Sequence, residues 1–345
     1  MSSYRVGVLG ATGVVGSTIL EVLAERDFPA AEVVPFASER SAGKKVSFNG
    51  SKLKVRELRE DAIGDLDVLL SSAGGKVSAE WAPTFVDAGA VVVDNTSYWR
   101  MHEGVPLVVS EVNPEALDGH KGIVANPNCT TMEMVVALAP IHRAAGLERV
   151  ILSSYQSVSG TGRRAIEELR TQTADVLAGR EAKAEVYPHQ IAFNVLPQVE
   201  TFGQDDDYTT EERKVMAETR KILGLGEEVG ISATCARVPV ITGHSESVNV
   251  QTREDLSPEE CRELLAAAPG VVVLDRPGDG LYPLAKDAAG RDDVLVGRIR
   301  RDPSAERCLN LWIVGDNLRK GAATNAVQVA ELLVERDLLG SRNGS

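Results

Sequence analysis

One turn constrains this chain more than any other stretch. Gly10-Ala11-Thr12-Gly13-Val14-Val15-Gly16 stands directly between an apolar strand-like run, Val6–Leu9, and a helix-like stretch from about Val14 to Arg26. Glycines at these places allow a tight strand-to-helix turn and close backbone approach at the helix start. The pattern then repeats: strand-like Glu32–Ala37 and Val68–Ser71, a helix around Ser78–Ala88, and strand-like Ala90–Val93. Such alternation predicts a parallel sheet with crossover helices. Asp67-Val68-Leu69-Leu70 and Val91-Val92-Val93 are continuous apolar runs, as expected of strands covered on both faces.

The register changes after about residue 130. A helix is expected from near Cys129 to about Arg143, followed by strands over Arg149–Val158, Ser232–Val240, Ser245–Thr252, Val294–Ile299 and Cys308–Val314. Their alternation points to a mixed or antiparallel sheet with one covered face. Thr209-Thr210-Glu211-Glu212 and Ser257-Pro258-Glu259-Glu260 both match a capping box at a helix start. The segment from about Arg319 to Asp337 carries an apolar stripe, Ala323, Ala326, Val327, Ala330 and Leu333, and is expected to pack back on the first domain. Gly179–Glu185, Gly203–Tyr208 and Pro277–Asp293 read as exposed loops. A length of 345 residues accommodates about two domains.

Charge narrows the partners. Lys and Arg number 37 against 50 Asp and Glu, a net charge of −13, which repels phosphate backbones and anionic lipid. Neither nucleic acid nor a membrane is an expected partner. The start, Met1-Ser2-Ser3-Tyr4-Arg5, lacks a signal-peptide core, and no apolar run approaches a membrane span, so the cytoplasm is the expected compartment. Four cysteines, Cys129, Cys235, Cys261 and Cys308, form no CxxC pair and are read as free thiols. No metal is expected.

The glycine turn has the context of a dinucleotide site, with a pyrophosphate at the helix N-terminus; a purely structural turn would need similar residues. After the second strand the chain reads Ala37-Ser38-Glu39-Arg40-Ser41-Ala42-Gly43-Lys44-Lys45. Arg40 with Ser38 and Ser41 favours a 2′-phosphate and hence NADP, whereas Glu39 suits the ribose hydroxyls of NAD. Lys44 and Lys45 are read as solvated loop charge. Ser71-Ser72-Ala73-Gly74-Gly75 leaves room for a cofactor at a strand end, or equally for a tight turn.

Asn126-Pro127-Asn128-Cys129-Thr130-Thr131 places Cys129 at or near a helix N-terminus, where the dipole lowers a thiol pKa and favours the reactive thiolate. The blander reading, a small buried hydrophobe, is given to the other three cysteines. A thiol beside a nicotinamide points to thiohemiacetal formation, hydride transfer and an acyl-thioester that a second acceptor resolves. His244 follows Arg237 across a Pro/Gly bend and is the candidate base; His102, His120, His142 and His189 are read as surface or loop residues. Arg237 in an alternating strand invites a carboxylate. Glu211 and Lys214, one turn apart, suit an ammonium and a phosphate, or simply each other as an ion pair.

These pieces resemble the aspartate-semialdehyde dehydrogenases over essentially the whole chain. The match runs through Gly-Ala-Thr-Gly-x-Val-Gly, Ser-x-Arg-Ser-Ala-Gly, Asp94-Asn95-Thr96-Ser97-Tyr98-Trp99-Arg100 and Asn126 to Thr131. It continues through Gln156-Ser157-Val158-Ser159-Gly160, Glu211-x-x-Lys214, Arg237 to His244, and Asp316-Asn317-Leu318-Arg319-Lys320-Gly321-Ala322-Ala323. The resemblance implies an α/β fold, with an N-terminal Rossmann-type parallel sheet binding NADP over 1–128 and 317–345. A second, α+β domain of mixed sheet over 129–316 would carry catalysis and dimerisation.

By the same resemblance Cys129 is the acyl-thioester nucleophile, His244 the proton acceptor and donor, and Gln156 the residue that positions the substrate. Arg237 binds the substrate carboxylate, Glu211 its amino group, and Arg100 with Lys214 the phosphate, with Asn128 beside them. Cofactor contacts fall to Gly10, Thr12, Gly13, Val14, Val15, Ser38, Arg40, Ser41, Ser72, Ser159, Gly160 and Asn317. The implied reaction is reductive dephosphorylation of L-aspartyl-4-phosphate to L-aspartate-4-semialdehyde by NADPH, on the way to lysine, diaminopimelate, threonine and methionine. A homodimer is implied, with pairing into a tetramer left open.

Two other functions fit parts of the pattern. N-acetyl-γ-glutamyl-phosphate reductase has related chemistry, but its Gly-Cys-Tyr-Pro-Thr context is absent here. A non-catalytic NADP-binding regulatory protein would have no use for Cys129, His244, Arg237 and Lys214 together.

Overall fold

The computed structural model describes residues 3–204 and 206–339. Met1 and Ser2 of the expected N-terminal segment, Asp205 of an expected loop, and 340–345 of the expected first domain lie outside the described residues. The chain divides into two compact units, Met1–Asn128 with Ala322–Ser345, and Cys129–Gly321.

In the first unit the strands are β1 (Tyr4–Leu9), β2 (Ala30–Ala37), β3 (Lys45–Phe48), β4 (Ser51–Lys54), β5 (Arg56–Glu57), β6 (Val68–Ser71), β7 (Val91–Asp94) and β8 (Ile123–Ala125). Six of them form one sheet in the order β5-β2-β1-β6-β7-β8, parallel throughout. This is the parallel sheet expected from the sequence. Helices α1 (Val14–Glu25) and α2 (Gly75–Asp87) are its crossovers.

Because both faces are covered, β6 and β7 are buried at every position, which is why they read as unbroken apolar runs. One face packs Val6, Val8, Val68 and Val93 against Ile19, Leu20 and Leu23 of α1 and against Ala326, Val327, Ala330 and Leu333. Those last four belong to the terminal helix, Asn325–Glu335. The other face packs Leu9, Phe36 and Leu69 against Ala82 and Phe85 of α2. The hairpin β3–β4, absent from the sequence reading, turns at Asn49-Gly50, both at positive φ, 44° and 73°.

The second unit holds α3 (Cys129–Ala145), β9 (Leu147–Gln156), α4 (Arg163–Leu177), α5 (Thr210–Leu223), β10 (Gly230–Arg237), β11 (His244–Thr252), α6 (Pro258–Ala266), β12 (Val271–Val273), α7 (Ala285–Ala288), β13 (Val294–Arg301) and β14 (Cys308–Gly315). Its sheet runs β10-β9-β11-β14-β13-β12. β9 is parallel to β10 and antiparallel to β11, so the sheet is mixed, as expected. Val150, Leu152, Ser154 and Gln156 of β9 are buried, whereas Ile151 and Tyr155 between them are exposed. One face is therefore covered and the other open. α3 packs against β9, β11 and β14 on the covered face, and both expected capping boxes form, at Thr209–Glu212 and Ser257–Glu260.

Four expectations shift. The strand read as Ser232–Val240 ends at Arg237, because Pro239 has no N–H and Val240 turns its own back onto Val238 O. The strand read as Arg149–Val158 ends at Gln156, and Val158–Thr161 form a 3₁₀ turn. The loop read over Pro277–Asp293 contains a 3₁₀ turn and α7. His142 lies in the last helical turn of α3 and accepts the Leu147 N–H at 3.1 Å, so it ties the helix to β9 and is not a loop residue.

Leu333 is fully buried against the sheet of the first unit. Leu333→Ala is expected to cost about 3 kcal/mol by cavity formation, read as a lower denaturant midpoint; an unchanged midpoint would show that the terminal helix does not share that core.

Candidate functional site

In the first unit the glycine turn closes as its spacing demands. Gly10 sits at φ +83° and its carbonyl accepts the Gly13 N–H at 2.9 Å. A Cβ on Gly16 would lie 2.2 Å from Gly10 O, so only glycine lets α1 start this close to the turn. No side chain caps α1 at Gly13. Helix-start N–H groups without a side-chain cap beside a glycine cradle fit a pyrophosphate. Ser72, at the end of β6, donates through Oγ to Leu9 O at 3.3 Å and faces Gly10.

After β2, Ser38, Glu39 and Arg40 are exposed and Ser41 is buried, its Oγ 3.4 Å from Lys44 Nζ. Lys44, read as plain loop charge, thus touches a candidate cofactor residue. Arg100 and Asn128 are also in this unit, and both are buried. Arg100 donates to Asn126 O at 3.0 Å and to Asn95 O at 2.8 Å, fixing its guanidinium to the chain around Asn126.

In the second unit Cys129 is the first residue of α3, the position where the helix dipole favours a thiolate. Its Sγ lies 3.3 Å from His244 Nε2. Gly321 makes room for it, since a Cβ there would approach Cys129 Cβ to 2.8 Å. His244 begins β11 and is fully buried. Burial, with the positive charge of Arg237, pushes its pKa down to about 3, so the imidazole is neutral at physiological pH.

Arg237 ends β10 and is buried; it donates to Ser157 O at 2.7 Å and lies 5.9 Å from the Tyr187 ring centroid. Its Nε has no hydrogen-bond partner among the described residues. A buried guanidinium N–H without an acceptor is a fit for a carboxylate.

Gln156, paired with Arg237 across β9 and β10, donates to Glu211 Oε1 at 3.0 Å. Lys214 bridges Glu211 at 2.7 Å and Glu200 at 2.6 Å. Burial works against its charge, but the two carboxylates outweigh it and hold its pKa above the ordinary lysine range. The ion pair foreseen as the blander reading of Glu211 and Lys214 exists, and it keeps the lysine cationic. Ser159 and Asn317 are bound to each other, with Asn317 Nδ2 donating to Ser159 Oγ at 2.9 Å. A Cβ on Gly160 would sit 3.5 Å from Arg237 Nη1 and 3.7 Å from His244 Nε2.

The structure thus gathers Cys129, His244, Arg237, Gln156, Glu211, Lys214, Ser159, Gly160 and Asn317 in one unit. Sequence reading missed Ser157, Tyr187 and Gly321 as parts of this surrounding. It also missed two fully buried carboxyls, Glu133 on α3 and Glu246 on β11, whose oxygens have no hydrogen-bond partner of good geometry among the described residues. Burial, and for Glu133 also the charges of Glu246 and Asp316, holds both pKa values well above the carboxylate range.

A group whose folded pKa is raised favours folding below its ordinary pKa, 4.5 here, and loses that contribution as pH rises through the folded value. Glu133→Gln imitates the protonated carboxyl without titrating. It is therefore expected to leave the urea midpoint unchanged near pH 4.5 and to stabilise by about 1–3 kcal/mol near pH 8.5. Equal midpoints at both pH values would rule out the buried acid.

Residues 5–120 match the family model described as semialdehyde dehydrogenase, NAD binding domain, and residues 138–320 that described as semialdehyde dehydrogenase, dimerisation domain. Aspartate-semialdehyde dehydrogenase of Aquifex aeolicus is 54% identical over 340 residues, covering 97% of this chain and 99% of that protein. The crystal structure of aspartate semialdehyde dehydrogenase II from Vibrio cholerae complexed with ASA is 47% identical, with a TM-score of 0.94 over 97% of this chain and 99% of that one. Aspartate semialdehyde dehydrogenase from Candida albicans, crystallised with NADP, is 27% identical, with a TM-score of 0.76 over 97% of this chain and 99% of that one.

Proposed function

The chain belongs to the aspartate-semialdehyde dehydrogenase family, and on that premise we propose that it is NADP-dependent and converts L-aspartyl-4-phosphate to L-aspartate-4-semialdehyde through an acyl-thioester on Cys129. Membership makes it an oxidoreductase acting on an aldehyde group. The observation that carries the finer reading is the 3.3 Å approach of Cys129 Sγ to His244 Nε2. Beside it is a buried guanidinium whose Nε has no acceptor among the described residues.

Arg237 holds the substrate carboxylate, a bidentate partner for which its planar fork is suited. Glu211, itself held by Gln156 and Lys214, receives the amino group. The phosphate is assigned to Lys214 and Arg100, and Asn128 is assigned to substrate binding. Cys129 attacks the acyl carbon, the bond to the phosphate oxygen breaks, and the acyl group remains on sulfur as a thioester. The hydride that this thioester needs would come from NADPH when bound. Collapse of the thiohemiacetal on Cys129 releases the aldehyde and restores the thiol, with His244 handling the hydrogen of sulfur and oxygen and Gln156 positioning the acyl group.

Cofactor binding is assigned to the glycine turn with Gly10, Thr12, Gly13, Val14 and Val15, to Ser38, Arg40, Ser41 and Ser72, and to Ser159, Gly160 and Asn317. We assign 1–128 and 317–345 to the NADP-binding domain and 129–316 to catalysis and dimerisation. A cytoplasmic homodimer serving lysine, threonine and methionine synthesis completes the proposal.

Phosphate-dependent reduction of NADP⁺ with aspartate semialdehyde tests it. The parent is expected to be active and Cys129→Ala to lose roughly 10³-fold or more; full activity in that variant, or none in the parent, overturns the reading. Arg40→Ala is expected to shift the NADP over NAD preference in kcat/KM by about tenfold toward NAD, the loss of one charge-assisted contact. An unchanged ratio would remove Arg40 from the 2′-phosphate site.

A further inference from the structure

Ser157 presents two hydrogen-bonding groups to one atom of His244. Its backbone N–H donates to Nδ1 at 3.1 Å, and its Oγ lies 3.2 Å from the same nitrogen. All of these atoms are buried. An amide N–H can only donate, and a ring nitrogen that accepts carries no proton.

The hydroxyl environment agrees. Ser157 Oγ also reaches Asn317 Oδ1 at 3.0 Å, but that oxygen already receives the Gly243 N–H at 3.0 Å and the Ser159 hydroxyl at 3.1 Å. A carbonyl oxygen has two lone pairs. The Ser157 hydroxyl thus stands among Nδ1, this oxygen and Ser159 Oγ, 3.2 Å away, and can donate toward Nδ1, while the amide N–H is the group that makes Nδ1 an acceptor.

Resting on the reading of Cys129 and His244 as nucleophile and partner, we infer that Ser157 is a positioning residue that fixes His244 in the Nε2–H tautomer, so that the Cys129 sulfur accepts a hydrogen bond from a neutral imidazole. Burial and the field of Arg237 oppose the imidazolium in the same sense. Among the described residues Cys129 from α3 touches the ring, and Arg237 from β10 and Glu211 from α5 act on its charge; Glu133, one turn beyond Cys129 on α3, and Glu246, two residues along β11, lie on the same faces, and Gly315, its partner on β14, brings no side chain. A thiolate is a far better acceptor than a thiol, so the tautomer favours the ionised nucleophile without needing a charged histidine.

The experiment reads Cys129 directly. Cys235, Cys261 and Cys308 are buried, so iodoacetamide alkylation of the native enzyme across pH reports the Cys129 thiolate. His244→Gln keeps an N–H donor near the Nε2 position and is expected to retain the wild-type alkylation midpoint, whereas His244→Ala raises it. Ser157→Ala loses one of the two donors at Nδ1. Its midpoint is expected to rise by on the order of half a pH unit, the scale of one weak hydrogen bond, with kcat falling and KM little changed; Ser157→Thr restores both.

Long-range ¹H–¹⁵N spectra of histidine-labelled enzyme, with His244 assigned from the Gln variant, are expected to show protonated Nε2 and bare Nδ1 near neutral pH. A protonated Nδ1 or an imidazolium in active enzyme overturns the tautomer and leaves the dehydrogenase reading intact. An alkylation midpoint unmoved by Ser157→Ala overturns the positioning role of the Ser157 hydroxyl, since that variant keeps the amide N–H at Nδ1, and likewise leaves the dehydrogenase reading intact. A parent with no aldehyde oxidation instead sinks the functional reading, and the spectrum still decides the tautomer.

Discussion

The contact on which the rest of the second unit depends is that between the sulfur at the head of α3 and the imidazole at the head of β11, 3.3 Å apart and walled off from water on the histidine side. Dry surroundings strip His244 of its charge, so the pair cannot rely on an exposed ion pair. What remains is hydrogen bonding, the helix terminus and the fixed charge of Arg237, each of which acts more strongly where water is excluded. Such a site has to be held rigidly, and Gly321 shows how tightly, since a Cβ there would press on Cys129.

Strand topology supplies the rigidity. β9 and β10 run parallel, which sets Gln156 opposite Arg237 at their carboxyl ends. β11 runs the other way, so its first residue, His244, opens at that same edge of the sheet, paired with Gly315 at the end of β14. A purely parallel or purely antiparallel order of these three strands would separate the ends from the start. The mixed sheet is thus the reason that residues from 156 to 315 share one edge, and α3, packed on the covered face, brings the thiol to it.

Much of this was legible in the sequence where a residue's physics is local. Strands covered on both faces, the two capping boxes and the glycine turn all declare themselves through neighbours a few residues away. The hairpin at Asn49-Gly50 had its signal too, a dipeptide suited to positive φ, but strands of four residues were too short to show alternation. α4 was missed for a different reason. Its buried face includes Glu168 and Gln172, which accept backbone N–H groups from 185–187 and 191–192. Polar residues buried by partners far along the chain look like a solvated surface in one dimension. Ser157 was equally hidden: its amide, the group that meets His244, is common to all residues but proline.

The buried carboxyls belong to the same seam as Cys129 and His244. Glu133 is one turn beyond Cys129 on α3 and Glu246 two residues beyond His244 on β11, spacings that return to the same helix face and the same strand face. Were both ionised, two negative charges behind the sulfur would resist a thiolate and draw a proton onto the imidazole. Burial raises both carboxyl pKa values and lowers that of His244, so it favours the neutral form of each. In a chain with a net charge of −13, the cations in this surrounding are Arg237 and Lys214, the second clasped between Glu211 and Glu200. The cost is a core holding polar groups that a stability optimum would replace.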